Sequence, residues 1–310
     1  MSFPSVNCSR VNSPKIKLTR LESARGKSYA LRQAVVGMAV ITLTVAFSLA
    51  GAARVAVAAA NVEALSKVEA GSRVAVDHQA LDALLGRYVI EGADGINRVK
   101  FAAFKANDHE TLKSYIAAQE KIDPTKLDGP EHFAYFANLY NALTLNVVLE
   151  NYPVQSIMDI KLPDASGRPT NGPWKARLAE VNGKGVSLDD ISAILRKSFM
   201  SQDPRGHYML NCLSIGCPKF YPEAITGANL ERLLTDAATA FATHPRGLNV
   251  IDGKAKSSSL YAWYQADFGG ADGVIRHLAT AGGAEVAAKL GGIEKISSHS
   301  YDWALIDAQK

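Results

Sequence analysis

The segment from Pro130 to Glu150 constrains the fold more than any other part of the chain. Proline and an acid at its start suit the first turn of a helix, where an N–H is spare and negative charge complements the dipole. Phe133, Phe136, Tyr140, Leu143 and Val147 then step by three and four, which makes one wide apolar stripe. At ~100° per residue, Asn138 and Asn141 project on nearly the opposite side, next to Ala134, Ala142 and Leu145. A helix apolar on two sides is buried on both, so other elements must wrap it. Two amides on the second side then need hydrogen-bond partners there, and the sequence predicts a polar site against that side.

The flanking sequence supplies the wrapping elements. Helical spacing recurs from Asp77 to Ile90 and from Thr111 to Ile122, where Asp123-Pro124 breaks it. A Pro/Gly-rich stretch from Pro163 to Pro173 reads as a surface loop, and Asn182-Gly183 between two short runs reads as a type I′ hairpin. Ser187, followed by Asp189 and Asp190, predicts a capped helix to about Phe199. Tyr208-Met-Leu before Asn211 reads as a buried strand, Leu230 to Thr243 as a helix, and Asn249-Val-Ile as a strand. A helix from Ser258 through Asp267, two Gly- and Ala-rich helical stretches and a strand near Ser300 to Trp303 follow. The expected class is α+β: a helix-rich single domain with a small, mostly antiparallel sheet, spanning residues 75–305 behind a linker at 61–74.

Charge separates the first sixty residues from the rest. They hold eight of the 34 Lys and Arg residues but one acid, Glu22, leaving 26 basic and 29 acidic residues from Asn61 on. A body with a formal charge of −3 lacks the clustered basic surface with which nucleic-acid binding begins, so no nucleic-acid partner is expected. The uncharged run Ala34 to Ala53 follows a basic region and precedes small residues at Ala56, Ala58 and Ala60. Residues 1–60 are therefore expected to be a signal peptide or a retained N-terminal membrane anchor. Either way the body is expected outside the cytoplasm, periplasmic or secreted, and the membrane is touched only through that segment if it is uncleaved.

Chemistry concentrates between Asp203 and Phe220, which hold His207, Asn211, Cys212, Ser214 and a Gly216-Cys217-Pro218 turn. Four more segments accompany it: Phe136 to Ala142, Ser187 to Arg196, Trp263 to Phe268 and Tyr301 to Trp303. Together, in this order over about residues 75–305, they closely resemble the family called domain of unknown function 547. The resemblance implies a papain/transglutaminase-like fold and a thiol hydrolase, with no settled reaction. Many bacterial members carry an acid after the Leu-Asp-Asp-Ile motif, where this chain has Ser192, so a role resting on that acid is in doubt here. Plant-like members tend to keep the counterpart of Cys212 and lack those of Cys217 and His207, which favours Cys212 as nucleophile.

Two functions follow, from different classes. In the first, the exported protein is a cysteine-dependent amidase or acyl transferase acting on a small peptide-like or thiol substrate. Its catalytic residues are Cys212 as nucleophile, His207 or another imidazole as base, and Asn141 and Asn211 as orienting or stabilising groups. An unbroken strand from Gly206 to Cys212 would hold His207 and Cys212 ~16 Å apart, so this pairing needs a bulge, a shorter strand or another partner such as His299 or His132. In the second, the protein is a non-catalytic envelope binding domain in which Cys212 and Cys217 form a structural disulfide. They are the only cysteines outside the leader, and an oxidising compartment favours the bond. No cofactor is expected, and His207, Cys212 and Cys217 lack the Cys-x-x-Cys spacing of a zinc site.

Overall fold

Capping and turn chemistry set the bounds of most elements in this computed structural model, which describes residues 56–309. The expected leader and membrane anchor therefore lie outside the described residues, apart from residues 56–60. Helix α1 covers residues 56–65, and Leu65 at its end is wholly buried, within the stretch expected to be a linker. Helix α2 (Gln79–Tyr88) leads into a two-stranded antiparallel pair, β1 (Val89–Ile90) and β2 (Arg98–Val99). Helices α3 (Phe101–Asn107) and α4 (His109–Gln119) follow.

Helix α5 (Gly129–Asn151) forms around the predicted start signals. The Asp128 side chain accepts the Glu131 N–H at 3.0 Å, and Pro130 occupies the first turn. At the other end Lys105 of α3 donates to the Tyr152 carbonyl at 2.8 Å and the Glu150 carbonyl at 3.4 Å, a cation on the negative end of the dipole. Seventeen of its 23 residues are buried, so every side of the helix is covered, in part by α3 and α4.

The hairpin also forms as read: β3 (Ala179–Val181) and β4 (Lys184–Val186) pair antiparallel, with Asn182 at φ 48° and Gly183 at φ 69° in the turn. Helix α6 (Leu188–Leu195) packs on α5 and opens with a complete capping box, in which Ser187 and Asp190 satisfy one another's backbone N–H. It runs on as a π-helical turn to Met200. Helix α7 (Leu230–Thr243) precedes a three-stranded sheet of order β5 (Leu248–Ile251), β6 (Lys254–Ser258) and β7 (Ile296–Ser300). The β5–β6 pair is antiparallel and the β6–β7 pair parallel. Helix α8 (Ser259–Trp263) and helix α9 (Gly270–Leu290), kinked at Gly283, lie between β6 and β7. Among the described residues the architecture is α+β, helix-rich, with three small sheets.

The expected strand around Tyr208 is not there. Residues Pro204–Met209 form a 3-10 helix instead, because Asp203 caps it by accepting the Arg205 N–H at 3.0 Å and Pro204 fixes the first φ. Four consecutive residues, Gly206 to Met209, are buried. A run apolar on all sides carries no period, so strand and helix look alike in it. The last strand likewise ends at Ser300, and residues 301–308 continue as an extended strap across other segments.

Candidate functional site

The turn from Asn211 to Cys217 is the most heavily tied part of the motif region. Cys212 and Cys217 are joined by a disulfide, with their Cα atoms 6.3 Å apart. The Cys212 N–H points at Cys217 Sγ at 3.1 Å, and the Tyr301 hydroxyl lies 3.1 Å from both sulfurs. Leu213 sits at φ 57°, a conformation a branched side chain adopts at a cost. Asn211 offsets it by accepting the Leu213 N–H on Oδ1 at 2.8 Å.

The C-terminal strap closes over this turn as an irregular ladder. Ile215 and Gly216 donate to the carbonyls of Ala304 and Asp302, each at 2.8 Å, and Ile306 donates to Leu213 at 2.9 Å. Gly216 permits the approach: a Cβ there would stand 2.8 Å from the Asp302 nitrogen. Gly216→Ala is therefore expected to lower stability by about 1–3 kcal/mol. Urea unfolding measures the loss, and faster proteolysis within residues 301–308 shows that the strap has lifted.

The strap also carries aromatic side chains to the turn. Tyr301 packs against Trp263 and Trp303 with ring centroids 4.8 and 4.6 Å apart, and Trp303 meets Trp263 and Trp174 at 5.7 Å each. These are the chain's three tryptophans, gathered into one wall beside the disulfide, and Trp263 is 37% exposed. Burial pushes the Tyr301 hydroxyl well above its ordinary range, so it stays protonated against the sulfurs.

His207 has other partners. Its Nε2 lies 2.9 Å from Asp267 Oδ2, and Arg196 grips the same carboxylate through Nε at 2.6 Å and Nη2 at 2.8 Å. The ring stacks on Tyr264 at 4.1 Å. Burial lowers the His207 pKa to about 4 against the opposing pull of Asp267. The neutral ring thus donates Nε2–H to Asp267 and keeps Nδ1 as its acceptor.

The amides of α5 clasp backbone. Asn141 donates to the Met209 carbonyl and accepts the Asn211 N–H, both at 2.9 Å. Asn138 does the same with Ile225, donating at 2.7 Å and accepting at 3.0 Å. Asn211 reaches on to the Pro218 carbonyl at 2.9 Å. The partners predicted for the Asn138–Asn141 side are backbone groups, of Ile225 for Asn138 and of Met209 and Asn211 for Asn141, the last at the edge of the cysteine turn.

Of the four catalytic candidates, Asn141 bonds the backbone of Asn211, the residue before Cys212, while Cys212 is held by Cys217 and Tyr301, and His207 by Asp267, Arg196 and Tyr264. The other candidate imidazoles are engaged too: His299 with Ser257 at 3.0 Å and His132 with the Leu65 carbonyl at 2.8 Å. Among the described residues, the hydrogen-bond partners of the two sulfurs are the Tyr301 hydroxyl and the Cys212 N–H. Among the same residues no three His, Cys, Asp or Glu side chains gather as a metal site, and no helix is long and apolar enough to cross a membrane. Sequence reasoning assigned no role to Asp267, Arg196 or Tyr301, although all three lie inside the segments that carried the resemblance.

Residues 124–242 match a protein family described as "Protein of unknown function, DUF547". No curated protein and no solved structure matches, so the papain/transglutaminase-like expectation has no neighbour behind it.

Proposed function

Because the chain carries a domain of the DUF547 family, a membership that prescribes no reaction, we propose that it is an exported, non-catalytic binding domain. Its ligand is small or peptide-like and lies on the wall of Trp263, Tyr301 and Trp303, which the Cys212–Cys217 disulfide stiffens from behind. The observation that carries this reading is the pairing of the two sulfurs with each other, under a protonated phenol and without an imidazole on either. A nucleophilic thiol needs a base within hydrogen-bond reach, and that requirement is unmet here. Export rests on the N-terminal sequence.

One observation favours a second reading. His207 is oriented by Asp267 through Nε2 with Nδ1 left as acceptor, the arrangement a thiol hydrolase or acyl transferase asks of its base. In that reading an external dithiol exchanges with the Cys212–Cys217 bond and leaves as its own disulfide, freeing both thiols, and the turn must then bring Cys212 Sγ to His207.

Thiol counting separates the two. The purified protein without residues 1–60, and so without Cys8, is expected to show no reactive thiol without reductant and two after reduction, read as intact mass after iodoacetamide. One cysteine alkylated rapidly near neutral pH without reductant would overturn the binding-domain reading, since fast alkylation marks a depressed thiol pKa. Because all three tryptophans form the wall, intrinsic fluorescence reports directly on any ligand that covers it.

A further inference from the structure

The strap is moored at both ends. It leaves β7 at Ser300, the last residue paired with β6, and farther along Leu305 and Ala308 donate to the carbonyls of Gln155 and Val99 at 2.9 and 3.0 Å. Between these points it leans on the disulfide turn, whose Gly216 and Ile215 donate to the Asp302 and Ala304 carbonyls. The stretch that the turn supports is the one that brings Tyr301 and Trp303 to Trp263.

The turn is a ring closed by its two sulfurs. Leu213 lies inside the ring at φ 57°, a conformation that a non-glycine residue keeps only where its surroundings impose it. Its carbonyl accepts the Ile306 N–H of the strap at 2.9 Å, and both sulfurs share the Tyr301 hydroxyl at 3.1 Å. Opening the ring frees Leu213 to leave this conformation and lets the sulfurs part, so two holds on the strap loosen together.

The ring opens by thiol–disulfide exchange. Cys212 is 8% exposed and Cys217 3%, so exchange starts from molecules whose strap has lifted locally. Tyr301 leaves with the strap, and the donor that stays is the Cys212 N–H, 3.1 Å from Cys217 Sγ. A thiolate held by a donor is the better leaving group, so the thiolate of an incoming dithiol attacks Cys212 Sγ and Cys217 departs. A bond forms to Cys212, the electron pair of the old bond goes to Cys217, and Cys217 takes a proton from water. The second thiol of the reductant then gives up its proton, closes on its own sulfur and releases Cys212, which is protonated in turn. One dithiol is oxidised to a disulfide, and the protein disulfide is reduced to two thiols.

We propose that the Cys212–Cys217 bond is a redox switch for the aromatic wall, closed by oxidation and opened by an external dithiol. With the bond made, the turn holds Tyr301 and Trp303 against Trp263. With it reduced, residues 301–304 lift and the wall comes apart, while residues 305–308 stay moored. The switch rests on the binding-domain reading, because the wall it acts on is that reading's ligand site.

Treatment of the purified protein with dithiothreitol tests it, with peptide mapping after iodoacetamide to follow Cys212 and Cys217 and circular dichroism to follow the helices. Once both cysteines are reduced, the tryptophan emission is expected to shift to the red and chymotryptic cleavage after Trp303 to appear, with the helical signal in place. Oxidised glutathione, added after the dithiothreitol is removed, is expected to reverse both changes. Gly216→Ala, whose strap lifts more readily, is expected to be reduced about tenfold faster, the effect of ~1.4 kcal/mol on strap opening. Unchanged emission and cleavage with both cysteines reduced, or reduction of Gly216→Ala at the parent rate, would overturn the switch and leave the binding-domain reading standing. Loss of the helical signal together with the wall would do the same, since it marks a structural staple. A turn cysteine alkylated before any reduction would overturn that reading, and the switch with it.

Discussion

Replacing Asn141 by alanine is expected to cost the fold about 2–5 kcal/mol, because it strands two buried backbone groups at once. The Met209 carbonyl loses its donor and the Asn211 N–H loses its acceptor. Neither can turn to water: Asn141 is 7% exposed and Asn211 1%. Asn141→Asp separates the halves of the clasp, since a carboxylate still accepts from Asn211 but cannot donate to Met209 and buries a charge. It is expected to be at least as costly as alanine at neutral pH. Urea midpoints for the two variants check both statements. A variant of normal stability that changed only ligand handling would instead put Asn141 in the role the sequence suggested for it.

The second large effect is acid lability. His78, His207 and His277 each have a folded-state pKa lowered from 6.5 to about 4, in every case mainly by burial. Opposing pulls from Asp77, Asp267 and Asp203 respectively do not restore it. The folded chain thus favours neutral rings, and the unfolded chain binds more protons between these values. Their stabilising effect is complete above about pH 6.5 and falls away as the pH drops toward 4. Each histidine adds a slope of up to about 1.4 kcal/mol per pH unit, so the three together approach 4 kcal/mol per unit within that window. Urea unfolding across the window measures the slope. His132, whose pKa burial also lowers, adds to the slope; His207→Gln is expected to reduce it by up to about 1.4 kcal/mol per unit, and an unchanged slope would show that His207 does not titrate as its burial requires.

Much of the fold was legible because its signals are local. Asn182-Gly183 marked its turn, Ser187 its cap, and the stripe of α5 its burial, each within a few residues of chain. The strand expected at Tyr208-Met-Leu failed for the complementary reason: a short apolar run has no period, and the Asp203 cap that starts the 3-10 helix lies upstream of it. The candidate site was legible as a set of segments and illegible as contacts. Asp267 lies 60 residues from His207 and Tyr301 lies 89 from Cys212, and neither pairing leaves a mark in the spacing. The Asn138 and Asn141 amides stood between these cases. Their need for partners was readable from the helix, and only the fold could identify them as the backbones of 209–211 and 225.

The strap over the disulfide turn sets an order on assembly. Residues 302–306 complete hydrogen bonds that begin at 213–216, Leu305 bonds the Gln155 carbonyl, and Val99 exchanges bonds with Ile306 and Ala308. A polypeptide emerging amino end first must release its residues through 308 before this knot can be tied. Until then the two sulfurs stand uncovered, and the window for joining them, or for a passing thiol to intercept one, closes when residues 301–308 arrive.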